Sequence, residues 1–170
     1  KRRERLKKQA RTSKEAQIED GVLERIQAVL EAGGAARSVA ISEEEAAMVK
    51  PLGLLTAKPI IYATNVSEDD LASGNAYVEE VKALAAQEGA ETVRISAQVE
   101  AELIELPEED RAEFLAGLGV TEGGLRSLIR ATYSLLGLRT YFTTGEKETR
   151  AWTIKAGMTA PQAAGVIHTD

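Results

Sequence analysis

The first third of the chain is patterned at the period of an α-helix. Residues 1–11 (KRRERLKKQAR) are strong helix formers with no breaker among them. Thr12-Ser13-Lys14-Glu15 has the form of a capping box, with Thr12 as N-cap and Glu15 reaching back to its amide. The helix this predicts runs to about Ala32, with Ile18, Val22, Ile26, Val29 and Leu30 on one face. Gly33-Gly34 ends it, because glycine accepts the left-handed C′ geometry. Two helices meeting at a short polar turn form an antiparallel hairpin whose tip is residues 11–14. A third helix is predicted from Ser42, whose S-x-x-E box closes on Glu45, and Pro51 and Gly53 kink or end it.

The period then changes. Residues 59–64 (PIIYAT) are a short apolar, partly β-branched run that suits a strand buried on both faces. A polar loop from Asn65 to Gly74 leads to a predicted helix from Asn75 to Glu88, with Tyr77, Val78, Val81, Leu84 and Ala85 inward and Gly89 as its stop. Thr92-Val93-Arg94-Ile95 is a second strand. Strand, helix and strand at this spacing make a βαβ unit with parallel strands and a right-handed crossover. A helical stretch from Gln98 to Leu118 follows, with Pro107 at the N1 position of its second segment and Glu108, Glu109 and Asp110 favouring the positive dipole end. The next helix, 124–136, is predicted to bury Leu125, Leu128, Ile129, Thr132 and Leu136. Residues 139–143 and 149–154, joined through Thr144-Gly145-Glu146-Lys147, read as a β-hairpin. The change of period near Leu138 predicts a domain boundary.

Composition narrows the picture. Aromatic residues are 4% of the chain, so its cores must be built from Leu, Val, Ile and Ala. There is no cysteine, which excludes disulfides and thiolate metal sites and fits a reducing, cytoplasmic setting. No apolar run approaches the roughly 20 residues that cross a bilayer, so no membrane is expected as a partner. The basic start is not followed by an apolar segment, unlike a signal peptide. Residues 1–14 carry eight cations and one anion, net +7; the whole chain carries −6, which leaves −13 on the remainder. A basic arm on an acidic body suggests contact with a polyanion, nucleic acid above all, although a solvated helix face accounts for the same charges; no feature selects DNA. With no initiator Met, a start inside a helical pattern and a stop at 168–170 just after a strand-like segment has begun, the chain reads as an excerpt of a longer protein.

Ligands of doubly wound α/β proteins bind beyond the carboxyl ends of the strands. Two loops meet that condition: Asn65-Val66-Ser67-Glu68 and Ser96-Ala97. In P-loop GTPases the corresponding loops read N-K-x-D and S-A-[KL] and hold the base. Aspartate accepts from the two N–H donors of the guanine edge, whereas adenine offers a donor at N6 and an acceptor at N1. A loop reading N-V-x-E therefore weakens the case for guanine. Asn65 can still address the N7 side of a purine, and main-chain N–H groups near Ser96 and Ala97 can donate to it. The alternative is that Asn65 ends a strand through an Asx turn and Glu68 is only solvated; Ser-Ala at the end of the next strand is what favours a base pocket. No G-x-x-x-x-G-K-[ST] and no Asp-x-x-Gly segment occurs, so the phosphate and magnesium half of such a site is absent from these residues, and no catalytic residue is assigned. His168, the one histidine, accompanies no nucleophile motif.

Residues 58–68 (KPIIYATNVSE), 137–148 (GLRTYFTTGEKE) and 150–170 (RAWTIKAGMTAPQAAGVIHTD) closely resemble the YchF/Obg-like ATPase family over the whole chain. The resemblance implies an α/β fold: the second half of a P-loop NTPase, preceded by an α-helical, coiled-coil-like insertion and followed by the start of a β-grasp TGS domain. It places the insertion at 1–57, the nucleotide-domain half at 58–138 and the TGS opening at 139–170. It further implies a preference for ATP over GTP through Asn65, Val66 and Glu68, with Val66 lying against the base through its backbone or side chain, and Mg2+ ligands outside this chain. Ribosome association follows from the same resemblance, with the basic hairpin and the TGS segment facing rRNA. A GTP-binding Obg-type protein and a translation-linked RNA-binding module with secondary nucleotide binding are the competing readings. The family's redox response would have to use residues outside this cysteine-free chain.

Overall fold

Opposite charges line the first two helices where they face one another. The computed structural model describes residues 2–167, and in it α1 (Arg2–Gln9) and α2 (Lys14–Glu31) form the expected antiparallel hairpin. Leu6 is buried in a cluster with Ala16, Val22, Leu23 and Ile26. Arg2 reaches Glu19 at 2.6 Å, and Arg3 reaches Asp20 at 2.9 Å and Glu24 at 2.8 Å. The cap of α2 lies one residue later than the box pattern suggests. Ser13 has extended backbone and its hydroxyl accepts from the Ala16 amide, whereas the Thr12 hydroxyl donates to the Gln9 carbonyl. The buried stripe also shifts: Leu23 and Ala16 are inside, and Leu30 is partly exposed.

The helix α3 (Glu43–Val49) has the predicted capping box, with Ser42 and Glu45 bonding reciprocally. The Ser42 amide, helped by Arg25, holds the Glu45 carboxyl below the usual glutamate range. A short 3-10 turn (Lys50–Leu52) follows and Gly53 at φ +61 closes it, so Pro51 and Gly53 end the helix. These elements belong to a compact unit of residues 1–60.

Residues 61–170 form a second unit. Strands β1 (Ile61–Asn65) and β2 (Glu91–Ile95) are parallel, in register from Ile61 opposite Glu91 to Asn65 opposite Ile95. Between them runs α4 (Ala76–Glu88), capped by Asn75 and closed by Gly89 at φ +65. This is the predicted βαβ unit. Its burial differs from expectation in two places. Ala63 and Asn65 of β1 are exposed, because the helices that pack on the strand pair do not cover them. On α4 the buried residues are Val78 and Ala85, while Tyr77 and Leu84 face solvent.

After β2 come α5 (Ala97–Glu105), α6 (Glu108–Gly117) and α7 (Gly124–Leu135). Pro107 is the N-cap of α6 rather than its first residue. Against β2, α7 presents small residues: Gly124 and Ala131 are buried, whereas Leu125, Ile129 and Leu136, expected inside, are about half exposed. A Cβ on Gly124 would lie 2.7 Å from the Ile95 Cα, so the helix approaches the strand as closely as backbone allows. The antiparallel strands β3 (Leu138–Thr144) and β4 (Thr149–Lys155) pair Tyr141 with Trp152. The Tyr141 hydroxyl donates to the Ala163 carbonyl of α8 (Ala160–Ala164) at 3.0 Å. Residues 165–167 continue as a turn, not as the strand expected there, and His168 lies outside the described residues. The architecture is mixed α/β: a helical hairpin, a parallel βαβ unit with further helices, and a terminal β-hairpin.

Candidate functional site

Parallel pairing fixes the position of the two candidate loops. Since β1 and β2 run the same way and Asn65 stands opposite Ile95, both chains leave the sheet at the same edge. The Val66 amide donates to the Ile95 carbonyl at 2.8 Å, which carries the pairing one step past the strand. The Asn65 side chain then crosses between the loops: its Oδ1 accepts the Ala97 amide at 2.9 Å. Asn65 and Ala97 are both exposed, so the junction faces solvent. With Oδ1 engaged, the donor left on the Asn65 amide is its Nδ2, which suits an acceptor such as a purine N7.

The other expected residues divide by what holds them. Ser96 is buried at 1% exposure, and its hydroxyl accepts from the Val99 amide as N-cap of α5. The hydroxyl therefore fixes the helix start, and Ala97 is the part of the pair that reaches the surface. Val66 is half-buried and packs against the cluster of Leu71, Val99, Leu103 and Leu115. Its side chain belongs to the core, which leaves the main chain as its means of touching a ligand. Glu68 is exposed, its carbonyl accepts from Leu71, and its carboxylate has no hydrogen bond or ion pair among the described residues.

A further group of residues organises the first loop. The Asp70 carboxylate accepts from the Ser67 hydroxyl at 3.1 Å and from Asn75 Nδ2 at 2.8 Å, while Asn75 Oδ1 caps α4 through the Val78 amide. One carboxylate thus ties the turn after Asn65 to the start of the next helix. The sequence signal was present, as Ser-x-x-Asp followed by an N-cap Asn, but it is common in loops and names no function. Asp70→Ala is expected to loosen residues 66–74 with little effect on the strands, seen as faster amide exchange confined to that loop.

The junction is an open rim. Grooves lie elsewhere, one between α2 and α3 beside Lys14 and Met48, another along β2 and α7 beside Arg94 and Ser127. Among the described residues no cluster of three His, Cys, Asp or Glu side chains could hold a metal ion. What the rim offers is an amide donor from Asn65, an acceptor from Glu68 and main-chain groups at 66 and 97.

Comparison with known proteins bears on what such a rim serves. Residues 138–170 match the family described as YchF-GTPase_C, "Protein of unknown function (DUF933)". A "Ribosome-binding ATPase YchF" from Haemophilus influenzae is 49% identical over 168 residues, which are 98% of this chain and 46% of that protein. The chain belongs to the YchF/Obg-like family. A second relative of the same name, from Bacillus subtilis, is 50% identical over 159 residues, 92% of this chain and 43% of the relative. Among solved structures, the "Structure of the Schizosaccharomyces pombe YchF GTPase" matches with a TM-score of 0.80 and 37% identity, covering 91% of this chain and 42% of that one. This YchF/Obg-like chain spans a little under half the length of the relatives it matches. The curated relatives are named ATPases and the solved structure a GTPase, so the names disagree on the base.

Proposed function

We propose that this chain carries the base-binding rim of a P-loop nucleotidase that hydrolyses ATP and associates with the ribosome. The observation that supports it best is the bond from the Ala97 amide to Asn65 Oδ1, which joins the two loops and leaves Nδ2 as the remaining donor of an exposed side chain. In this reading Asn65 Nδ2 donates to N7 of adenine, and the main chain at 66 and 97 borders the ring. Glu68 stands where a shorter Asp would grip the two guanine donors. The phosphate loop and the magnesium ligands would come from elsewhere in the longer protein, since these residues contain neither motif; these residues alone would not hydrolyse nucleotide. The protein would act in the cytoplasm. Residues 1–57 serve as the helical insertion, 58–138 as half of the nucleotide domain and 139–170 as the opening of a TGS domain. The basic hairpin and the TGS segment contact rRNA, by phosphate attraction that weakens with salt.

Glu68→Asp in the full-length protein tests the choice of base. Val66 is left unchanged because its side chain packs into the core. GTP binding relative to ATP is expected to rise about tenfold, the worth of one charge-assisted hydrogen bond, in competition titrations with both nucleotides. An unchanged ratio removes Glu68 from base selection and favours the GTP-binding alternative or an unselective site.

A further inference from the structure

The cations of the first helix fall into two groups, and only one of them is available to a partner. Arg2 and Arg3 are engaged inside the hairpin by Glu19, Asp20 and Glu24. Arg5, Lys7, Lys8 and Arg11 are exposed and form no ion pair among the described residues. Helical geometry explains the division. At about 100° per residue, Arg2 and Arg3 flank the buried Leu6 and so lean toward α2. Lys8 points about 160° away from Leu6, with Arg5 and Lys7 at about 100° on either side of it. Arg11 extends the same series into the turn at the hairpin tip.

We infer that the outward face of α1, formed by Arg5, Lys7, Lys8 and Arg11, is the docking surface for the phosphate backbone of an RNA helix. The inference rests on the proposed ribosome association and states which side of the hairpin makes the contact. Two observations choose RNA over a protein partner. Leu6 is the one apolar residue of α1 and it is buried, so the outward face has no apolar anchor of the kind that dominates protein–protein binding energy. A phosphate backbone needs none, since point charges and counterion release supply the affinity. Glu19, Asp20 and Glu24 spend their charge on Arg2 and Arg3 inside the hairpin, so the outward cations keep a net positive face for the same ligand.

The test compares the full-length protein with two variants, R2Q and the quadruple R5Q/K7Q/K8Q/R11Q, in binding to ribosomes and to a short RNA duplex over a range of salt. The quadruple variant is expected to lose roughly tenfold or more in affinity for both, and its dependence of log affinity on log salt is expected to flatten by about three to four, near one per cation removed. R2Q, whose charge already serves Glu19, is expected to leave the salt dependence unchanged, whereas a dependence on net charge alone would flatten it by about one. Retained nucleotide binding and helical circular dichroism show that the quadruple variant is folded. If the parent binds ribosomes and the quadruple variant binds them equally well, the docking surface is overturned while ribosome association stands. Loss of ribosome binding with unchanged duplex binding assigns the face to an acidic protein and overturns the RNA inference. A parent protein that binds neither overturns the proposed association, and the inference falls with it.

Discussion

Gly124→Ala is expected to destabilise residues 61–170 by about 3 kcal/mol, at the upper end of what overpacking costs. In an exposed helix the same change stabilises by up to about 1 kcal/mol. Here the added Cβ would sit 2.7 Å from both Cα and Cβ of Ile95 and 2.9 Å from the Arg94 carbonyl oxygen. Those atoms belong to β2 and cannot rotate away, so either the helix lifts or the strand bends. Gly123→Ala is the control. Its Cβ would meet the carboxylate end of Glu100, a flexible side chain that can swing aside, and the expected cost is under about 1 kcal/mol. Amide exchange of β1 and β2 in the full-length protein reads the difference: roughly 150-fold faster for Gly124→Ala where exchange follows local opening, and little change for Gly123→Ala. Because Ile95 stands opposite Asn65 and precedes Ser96, bending β2 also disturbs the rim, and nucleotide affinity is expected to fall with stability.

Asn65→Ala has the larger effect on binding. It removes the acceptor for the Ala97 amide and, in the proposed reading, the donor to the purine. Two hydrogen bonds at about 1 kcal/mol each amount to about 2 kcal/mol, or roughly 30-fold in nucleotide affinity. Asn65→Asp separates the two roles. It keeps the oxygen that accepts from Ala97 and loses the Nδ2 donor, so the junction should persist while the nucleotide still binds weakly. Isothermal titration of the full-length variants provides the affinities, and exchange of the Ala97 amide reports the junction. Equal affinity for parent and Asn65→Ala would exclude Asn65 from the site.

The frame of the rim was legible in the sequence because its signals are local. The strand-like runs at 59–64 and 92–95, the glycine stop at Gly89 and the intervening helix are enough to specify parallel strands, and parallel strands place Asn65 beside Ser96 and Ala97. What the sequence left open concerns who packs against whom. Apolar periodicity marks one side of a helix but does not name its neighbour. On α7 the side against β2 is set by Gly124 and Ala131, which permit close approach, while Leu125 and Ile129 stay half exposed. Val66 reads as a loop residue until Leu71, Val99 and Leu115 close around it. Ser13 displaces Thr12 as cap because the backbone leaves the helix there, a choice the adjacent hydroxyls do not decide. Sequence counts eight cations in the first 14 residues, and the facing acids of α2 engage Arg2 and Arg3 while leaving Arg5, Lys7, Lys8 and Arg11 available.

The most direct examination of the base-binding claim is a crystal structure of the full-length protein with a non-hydrolysable ATP analogue. The adenine ring is expected against the β1 and β2 loop tips, bordered by the main chain of Val66 and Ala97, with Asn65 Nδ2 about 3 Å from N7. An adenine bound away from Asn65 and Ala97, or a well-ordered nucleotide with the two loops untouched, would contradict it.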